Sequence, residues 1–241
     1  MKPLLQCIFL VSVLSVRSHQ ADAQAMYHGS RDEKAIALTF DACPSSIHGG
    51  FDERIIQILV DSGVPATFFL TGRWIIKHHD VVKKLALVPG FEFGNHSYSH
   101  PHCLTMSDDS IKQELERTEN LLKSIAGTSA KLFRPPYVET DQRVEYMAQK
   151  IGITTVMYNI ASGDPDSTIS RERLIRNIVR SARNGCIILM HVNGRGWHTS
   201  EALPEIIQAL RAQGFIFSKV SELIKAENSA GKSSMNRKNP S

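Results

Sequence analysis

The sequence predicts an α/β fold in which a parallel sheet carries helices on its faces. Three observations predict it. Short apolar runs alternate with segments of helical spacing from residue 35 to about residue 222. Glycine and proline punctuate most of the junctions. The length, 241 residues, suits one domain with a full core. Alternation alone leaves two closures open, a (β/α) barrel or an open doubly wound sheet. The arrangement expected here is a single domain, a distorted (β/α) barrel of about seven parallel strands.

The first apolar run, Ala35 to Phe40, reads as a buried strand that stops on Asp41 shortly before Pro44. Residues 52–62 follow as a helix, with Ile55, Ile56, Leu59 and Val60 on one face and Gly63 as its stop. A strand is expected at 66–70, a helix at 80–88 halted by Pro89-Gly90, and a short strand at 91–95. The strongest helical signal is 107–125. Ser107 suits its N-cap, and Asp108 and Asp109 suit the positive end of its dipole. Residues 131–134 form a short strand closed by Pro135-Pro136, and 141–150 and 153–159 a helix and a strand. Residues 170–183 are helical, 186–191 a strand, and 200–212 a helix that tolerates Pro204 near its start. Residues 215–220 form the last strand, with a short helix after it. No internal repeat and no G-x-G-x-x-G phosphate loop occurs, so nothing points to a nucleotide cofactor.

Residues 1–23 read as a secretory signal peptide: Lys2, a mostly apolar stretch from Pro3 to Val16, and the small-x-small site Ala21-Asp22-Ala23. The apolar stretch is shorter than the ~20 residues a membrane span needs, so no membrane anchor is expected. The chain is therefore expected to be secreted, or periplasmic in a Gram-negative host. Residues 24–227 are the domain, and 228–241 a polar, basic tail expected to be disordered. The net charge of +4, with no Lys/Arg-rich block, does not point to nucleic acid. Three cysteines lie beyond the signal, Cys43, Cys103 and Cys186. Cys186 opens an apolar strand and reads as a buried small hydrophobe.

The carboxyl ends of the strands are where the chemistry collects. The first ends on Asp41, and the third runs into "NHSYSH", with His96 and His100. The fourth ends on "RPPY", with Arg134 and Tyr137, and the strand at Cys186 ends on His191. The loop after the fifth carries Asp164 and Asp166. In a parallel α/β fold these ends share one face, so acids, histidines and an arginine are expected to converge there as an active site. A helix N-cap is the plain alternative for Asp41. For His96 and His100, four apart, it is a pair of loop histidines. As ligands, neutral imidazoles suit zinc.

The chain resembles the polysaccharide deacetylases, the NodB-homology carbohydrate esterases of family 4, over residues 33–222. Five short stretches carry the resemblance in the family's order. "TFDAC" is similar to the first motif, usually Thr-Phe-Asp-Asp-Gly, and "HSYSH" to His-(Ser/Thr)-x-x-His. "RPPY" matches the third, "SGDPDS" loosely the fourth, and "LMH" the Leu-x-His of the fifth. The resemblance implies a metal-dependent hydrolase that removes acetyl groups from N- or O-acetylated polysaccharide, with peptidoglycan or a chitin-like glycan favoured. It implies a divalent metal, usually zinc, held by His96 and His100. Asp41 would be the general base, His191 the general acid, Arg134 the partner that orients Asp41, and Asp164 the carboxylate behind His191. The backbone amide of Tyr137 would stabilise the oxyanion and Leu189 would line the acetyl pocket. Trp197 would replace the aromatic wall that the fourth motif lacks, Ser167 standing there.

The sequence departs from the family at the first motif. The second aspartate, the metal's usual third protein ligand, is Ala42. Asp41, His102 or Cys43 would have to fill its place, or waters would. A Cys43–Cys103 disulfide joining the two motif loops is the preferred role for those cysteines. Two other functions stay open: a non-catalytic glycan-binding relic of the fold, and a hydrolase of a small non-sugar amide.

Overall fold

The structure is a computed structural model that describes residues 23–225. The signal peptide expected over residues 1–23, apart from Ala23, and the tail expected from 228 lie outside the described residues. No helix among the described residues is long and apolar enough to cross a membrane.

Among the described residues, eight parallel strands form the sheet: β1 (Ala35–Ala42), β2 (Ala66–Leu70), β3 (Phe91–Asn95), β4 (Leu132–Phe133), β5 (Thr154–Thr155), β6 (Ile160–Ala161), β7 (Ile187–His191) and β8 (Ile216–Phe217). The helices are α1 (Glu53–Asp61), α2 (Gly72–Lys77), α3 (His79–Leu85), α4 (Asp108–Ala126), α5 (Gln142–Lys150), α6 (Arg171–Ser181) and α7 (Thr199–Ala212). Seven strands run in the order β5-β4-β3-β2-β1-β7-β6, and β8 pairs with the start of β1 at Ala35 and Ile36. The sheet curls into a half-barrel, as expected of a distorted (β/α) barrel. An N-terminal strap crosses it: Met26 bridges Val156, and Gly29 and Ser30 donate to the carbonyls of Gly185 and Leu223.

β1 is the axis of the fold. All eight of its residues are buried between β2 and β7. The two-residue period of a strand sorts them. Ile36, Leu38, Phe40 and Ala42 join the core cluster under the helices, with Phe68, Ile188, Leu203 and Ile206. Thr39 and Asp41 take the opposite, inner face. The register then aligns Asp41 with His191 on β7 and with Phe69 on β2. Two of the expected site residues thus stand side by side because three strands run parallel and in register.

Three elements differ from expectation. α2 precedes the expected helix of residues 80–88. Its cap is Thr71, whose hydroxyl accepts from the Trp74 N–H. The strand expected over 153–159 is divided, because its residues serve three partners. β5 pairs with β4, the Met157 N–H donates to Met26, and the Met157 carbonyl turns inward to Arg134. β6, missing from the sequence reading, then joins β7.

Gly94 on β3 pairs with Phe69. A Cβ there would lie 2.4 Å from the Phe69 ring, which is fully buried under Arg134. Gly94→Ala should therefore cost about 1–3 kcal/mol by overpacking. Urea unfolding measures this, and a change below about 0.5 kcal/mol, the range of neutral surface substitutions, would show that the ring has room to move.

Candidate active site

Asp41 is 4% exposed, and one side chain makes that burial tolerable. The fully buried Arg134, aimed inward just after β4, donates to Asp41 Oδ1 and to the Thr39 hydroxyl, both at 2.8 Å. It also donates to the Met157 carbonyl at 3.1 Å and lies 4.1 Å from the Phe69 ring centre. Burial pushes the Asp41 carboxyl up, but the Arg134 charge and its hydrogen bond, with His96 and His191, hold it below the usual carboxylate value. Asp41 is thus set to stay ionised.

His96 and His100 follow β3 with ring centres 5.0 Å apart. His96 Nδ1 faces the Arg134 carbonyl at 2.6 Å, and a carbonyl only accepts, so Nδ1 carries the proton. Burial lowers the His96 pKa and keeps its ring neutral. Its Nε2 lone pair then lies 3.6 Å from Asp41 Oδ2. Two lone-pair donors that face each other this closely suit a cation between them. His100 is also neutral at ordinary pH: burial, then the neighbouring His96, lower its pKa to about 4.

The donor set therefore fits a divalent ion held by two imidazoles beside a carboxylate. It is not a three-ligand site. No three His, Cys, Asp or Glu side chains among the described residues form a ready metal-binding group. Ala42 faces the helix-side core and is fully buried. His102 does not replace it: its Nδ1 pairs with Glu139 at 3.0 Å, and its ring stacks on Tyr137 at 4.0 Å. Cys43 is held elsewhere, its sulfur accepting from Asn193 Nδ2 at 3.0 Å. Burial, and then the Asp41 charge, push its thiol up.

His191 ends β7, and its Nδ1 lies 2.8 Å from Asp164 Oδ1. Burial lowers the His191 pKa, but Asp164, through its charge and hydrogen bond, outweighs this and raises it. Asp164, fully buried, also accepts from Ser162, Thr199 and the His191 N–H. Leu189 lies two residues earlier on the inner face of β7 and is 8% exposed. Trp197 sits in the loop after His191, its N–H donating to the Asp164 carbonyl and its half-buried ring packed on the core. Half-exposed Tyr137 touches both His100 and His102. Ser97, His100, Tyr137, Val138 and His198 are the non-glycine residues with positive φ among those described. All lie in loops around this site, where backbone strain tends to gather.

The expected disulfide is not formed: Cys43, Cys103 and Cys186 are all free. Cys103 points into a separate cluster with Ile111, Leu115 and Phe133, and burial pushes its thiol up to about 12. Cys43 faces Asn193 instead, so following two motifs that meet does not bring the sulfurs together. Sequence reasoning also missed Thr39, Asn95, Glu114, Glu119, Ser162 and Thr199. Only Thr39 carried a signal, since it lies two residues before Asp41 and so on the same strand face.

Residues 28–156 match the family model described as polysaccharide deacetylase. The chain is 32% identical to a bifunctional xylanase/deacetylase of Pseudobutyrivibrio xylanivorans over 80% of this chain, but spans 31% of that protein's length. It is 29% identical to the peptidoglycan-N-acetylmuramic acid deacetylase PdaA of Bacillus subtilis, covering 83% of this chain and 75% of that one. A CE4 family pseudoenzyme from Bacillus anthracis has a similar structure, with a TM-score of 0.77 at 28% identity, covering 85% of this chain and 70% of that one. A mutant of that pseudoenzyme with restored enzymatic activity matches at a TM-score of 0.76 and 30% identity, over 85% of this chain and 72% of that one.

Arg134→Met removes the partner of a buried carboxylate and should destabilise the fold by about 3–5 kcal/mol. Denaturant unfolding reads this directly. A loss under 1 kcal/mol would mean that Asp41 finds water or another donor.

Proposed function

Because this chain belongs to the polysaccharide deacetylase family, we propose that it is an exported hydrolase that removes acetyl groups from an acetylated glycan. An N-acetylated polymer, peptidoglycan or chitin-like, is the favoured substrate. The observation that carries this reading is the opposition of two titratable groups aligned on neighbouring strands. Asp41 is held ionised by Arg134, and His191 is held towards its protonated form by Asp164. Pairs of groups whose environments push their pKa values apart mark a base and an acid.

His96 and His100 are the residues that would hold a divalent metal, zinc by their donor chemistry. When bound, it supplies a lowered water pKa and a polarised acetyl carbonyl. Asp41 then takes the proton of the attacking water, its carboxylate held in place by Arg134. His191 gives a proton to the leaving amine through Nε2, because Asp164 occupies Nδ1. The Tyr137 amide would face the oxyanion, Leu189 the acetyl methyl, and Trp197 the sugar. Ala42 and the likeness to a pseudoenzyme favour a second reading, a glycan-binding protein without turnover.

Acetate release from N-acetylated glycan oligomers separates the two. The proposal expects release by the zinc-loaded chain and a loss of at least 100-fold in Asp41→Asn. Glycan binding without release, unchanged in Asp41→Asn, would favour the second reading. The pH profile has a direction too. The base must be ionised and the acid protonated, so kcat/KM should hold above about pH 4, where His100 is neutral. It should fall only above the ordinary imidazole value of 6.5, since His191 is raised. Asp164→Asn should move that alkaline limb to lower pH, and an unmoved limb would remove Asp164 from this role.

A further inference from the structure

The five-residue turn from His96 to His100 is held in an unusual backbone shape. Ser97 and His100 both have positive φ, 64° and 65°, with no glycine to relieve it. Such a shape persists only where its surroundings over-determine it. Three sets of bonds do so. The carbonyls of Ser97 and Tyr98 accept from the N–H groups of Gly72 and Arg73, which open α2 and have no partner within the helix. Asn95 accepts the Ser97 N–H at 2.9 Å and donates to Glu119 at 2.9 Å, and the Ser97 hydroxyl accepts the His100 N–H at 3.1 Å.

The third set belongs to one side chain. Glu114, on α4, accepts the Tyr98 N–H at 2.9 Å and the Ser99 N–H at 2.7 Å on Oε2, and the Ser99 hydroxyl at 2.9 Å on Oε1. Two successive amides and a hydroxyl thus converge on a single carboxylate, as they do on a bound anion in a backbone nest. Among the described residues, no other side chain takes the Tyr98 and Ser99 amides. Without these bonds the turn would keep α2's hold on its carbonyls but lose the contact that fixes the peptide planes just before His100.

We propose that Glu114 is the positioning residue that sets His100 against His96 for metal binding, and that this chain depends on it because Ala42 supplies no third ligand. The inference rests on reading His96 and His100 as the metal-holding pair. With two imidazoles, affinity depends on their being oriented before the ion arrives, and outer contacts that orient ligands are typically worth 10–100-fold in affinity.

Calorimetric zinc titration of the full chain tests this, beside Glu114→Ala, Glu114→Gln, Glu114→Asp and Glu116→Ala. Glu114→Ala should weaken zinc binding about 10–100-fold. Glu114→Gln should restore most of it, since its carbonyl oxygen accepts both amides. Glu114→Asp keeps the charge but falls one methylene short, so it should resemble Ala, and it serves if the alanine variant does not fold. Glu116→Ala, on the exposed side of α4, should leave affinity unchanged. Zinc bound by Glu114→Ala and Glu114→Asp as tightly as by the natural chain would overturn the inference and leave the metal pair standing. Glutamine as damaging as alanine would overturn it as well, by making charge and not hydrogen bonding the cause. No zinc bound by the natural chain would remove both the inference and the metal pair.

Discussion

The site is organised around Arg134. A guanidinium with no exposure is costly to place in a protein interior unless its donors and its charge are matched. Here the charge meets Asp41, the donors reach Thr39 and the Met157 carbonyl, and the planar face rests on Phe69. Its own carbonyl accepts a hydrogen bond from His96 Nδ1–H, which turns Nε2 towards Asp41. One residue therefore sets the ionisation of the candidate base and the tautomer of a candidate ligand. It also ties β1 and β4 to the inward turn after β5. Pro135 and Pro136 end the strand behind it, so the side chain enters the barrel where the backbone can no longer pair.

The second constraint is register. Asp41 and His191 are neighbours because β1 and β7 pair residue for residue. Their surroundings differ in sign. Asp41 faces a fixed cation and His191 a fixed anion, so the same buried wall holds one group deprotonated and favours protonation of the other. Asp164 can do this because three other donors already satisfy it, the Ser162 and Thr199 hydroxyls and the His191 N–H. The candidate site lies at the carboxyl ends of the strands, and the helices serve to hold those ends in place.

Much of this was legible in the sequence, for physical reasons. β1 announced itself as an unbroken apolar run, and α4 by its Ser107 cap, which does accept the Ser110 N–H. Strand ends carried polar residues because a buried sheet leaves nowhere else for them. What stayed hidden depended on partners far apart in the chain. The division of 153–159 is set by Met26 and Arg134, neither visible locally. Glu114 carried no signal of its own, since its contacts come from the fold laying α4 along the His96–His100 turn. The Cys43–Cys103 pairing failed for a related reason, as meeting loops need not aim their side chains at each other. Ala42, the conspicuous departure, has a plain structural role: it packs with the helix-side core while Asp41 faces inward.

The account stands on the claim that two imidazoles, oriented by the Arg134 carbonyl and the turn around them, hold a metal although Ala42 contributes nothing. The direct measurement is a calorimetric zinc titration of the chain from Gln24 onward, beside the His96→Ala/His100→Ala double variant. The account predicts one-to-one binding that the double variant abolishes. Binding that survives the double variant, or none in the natural chain, would contradict it.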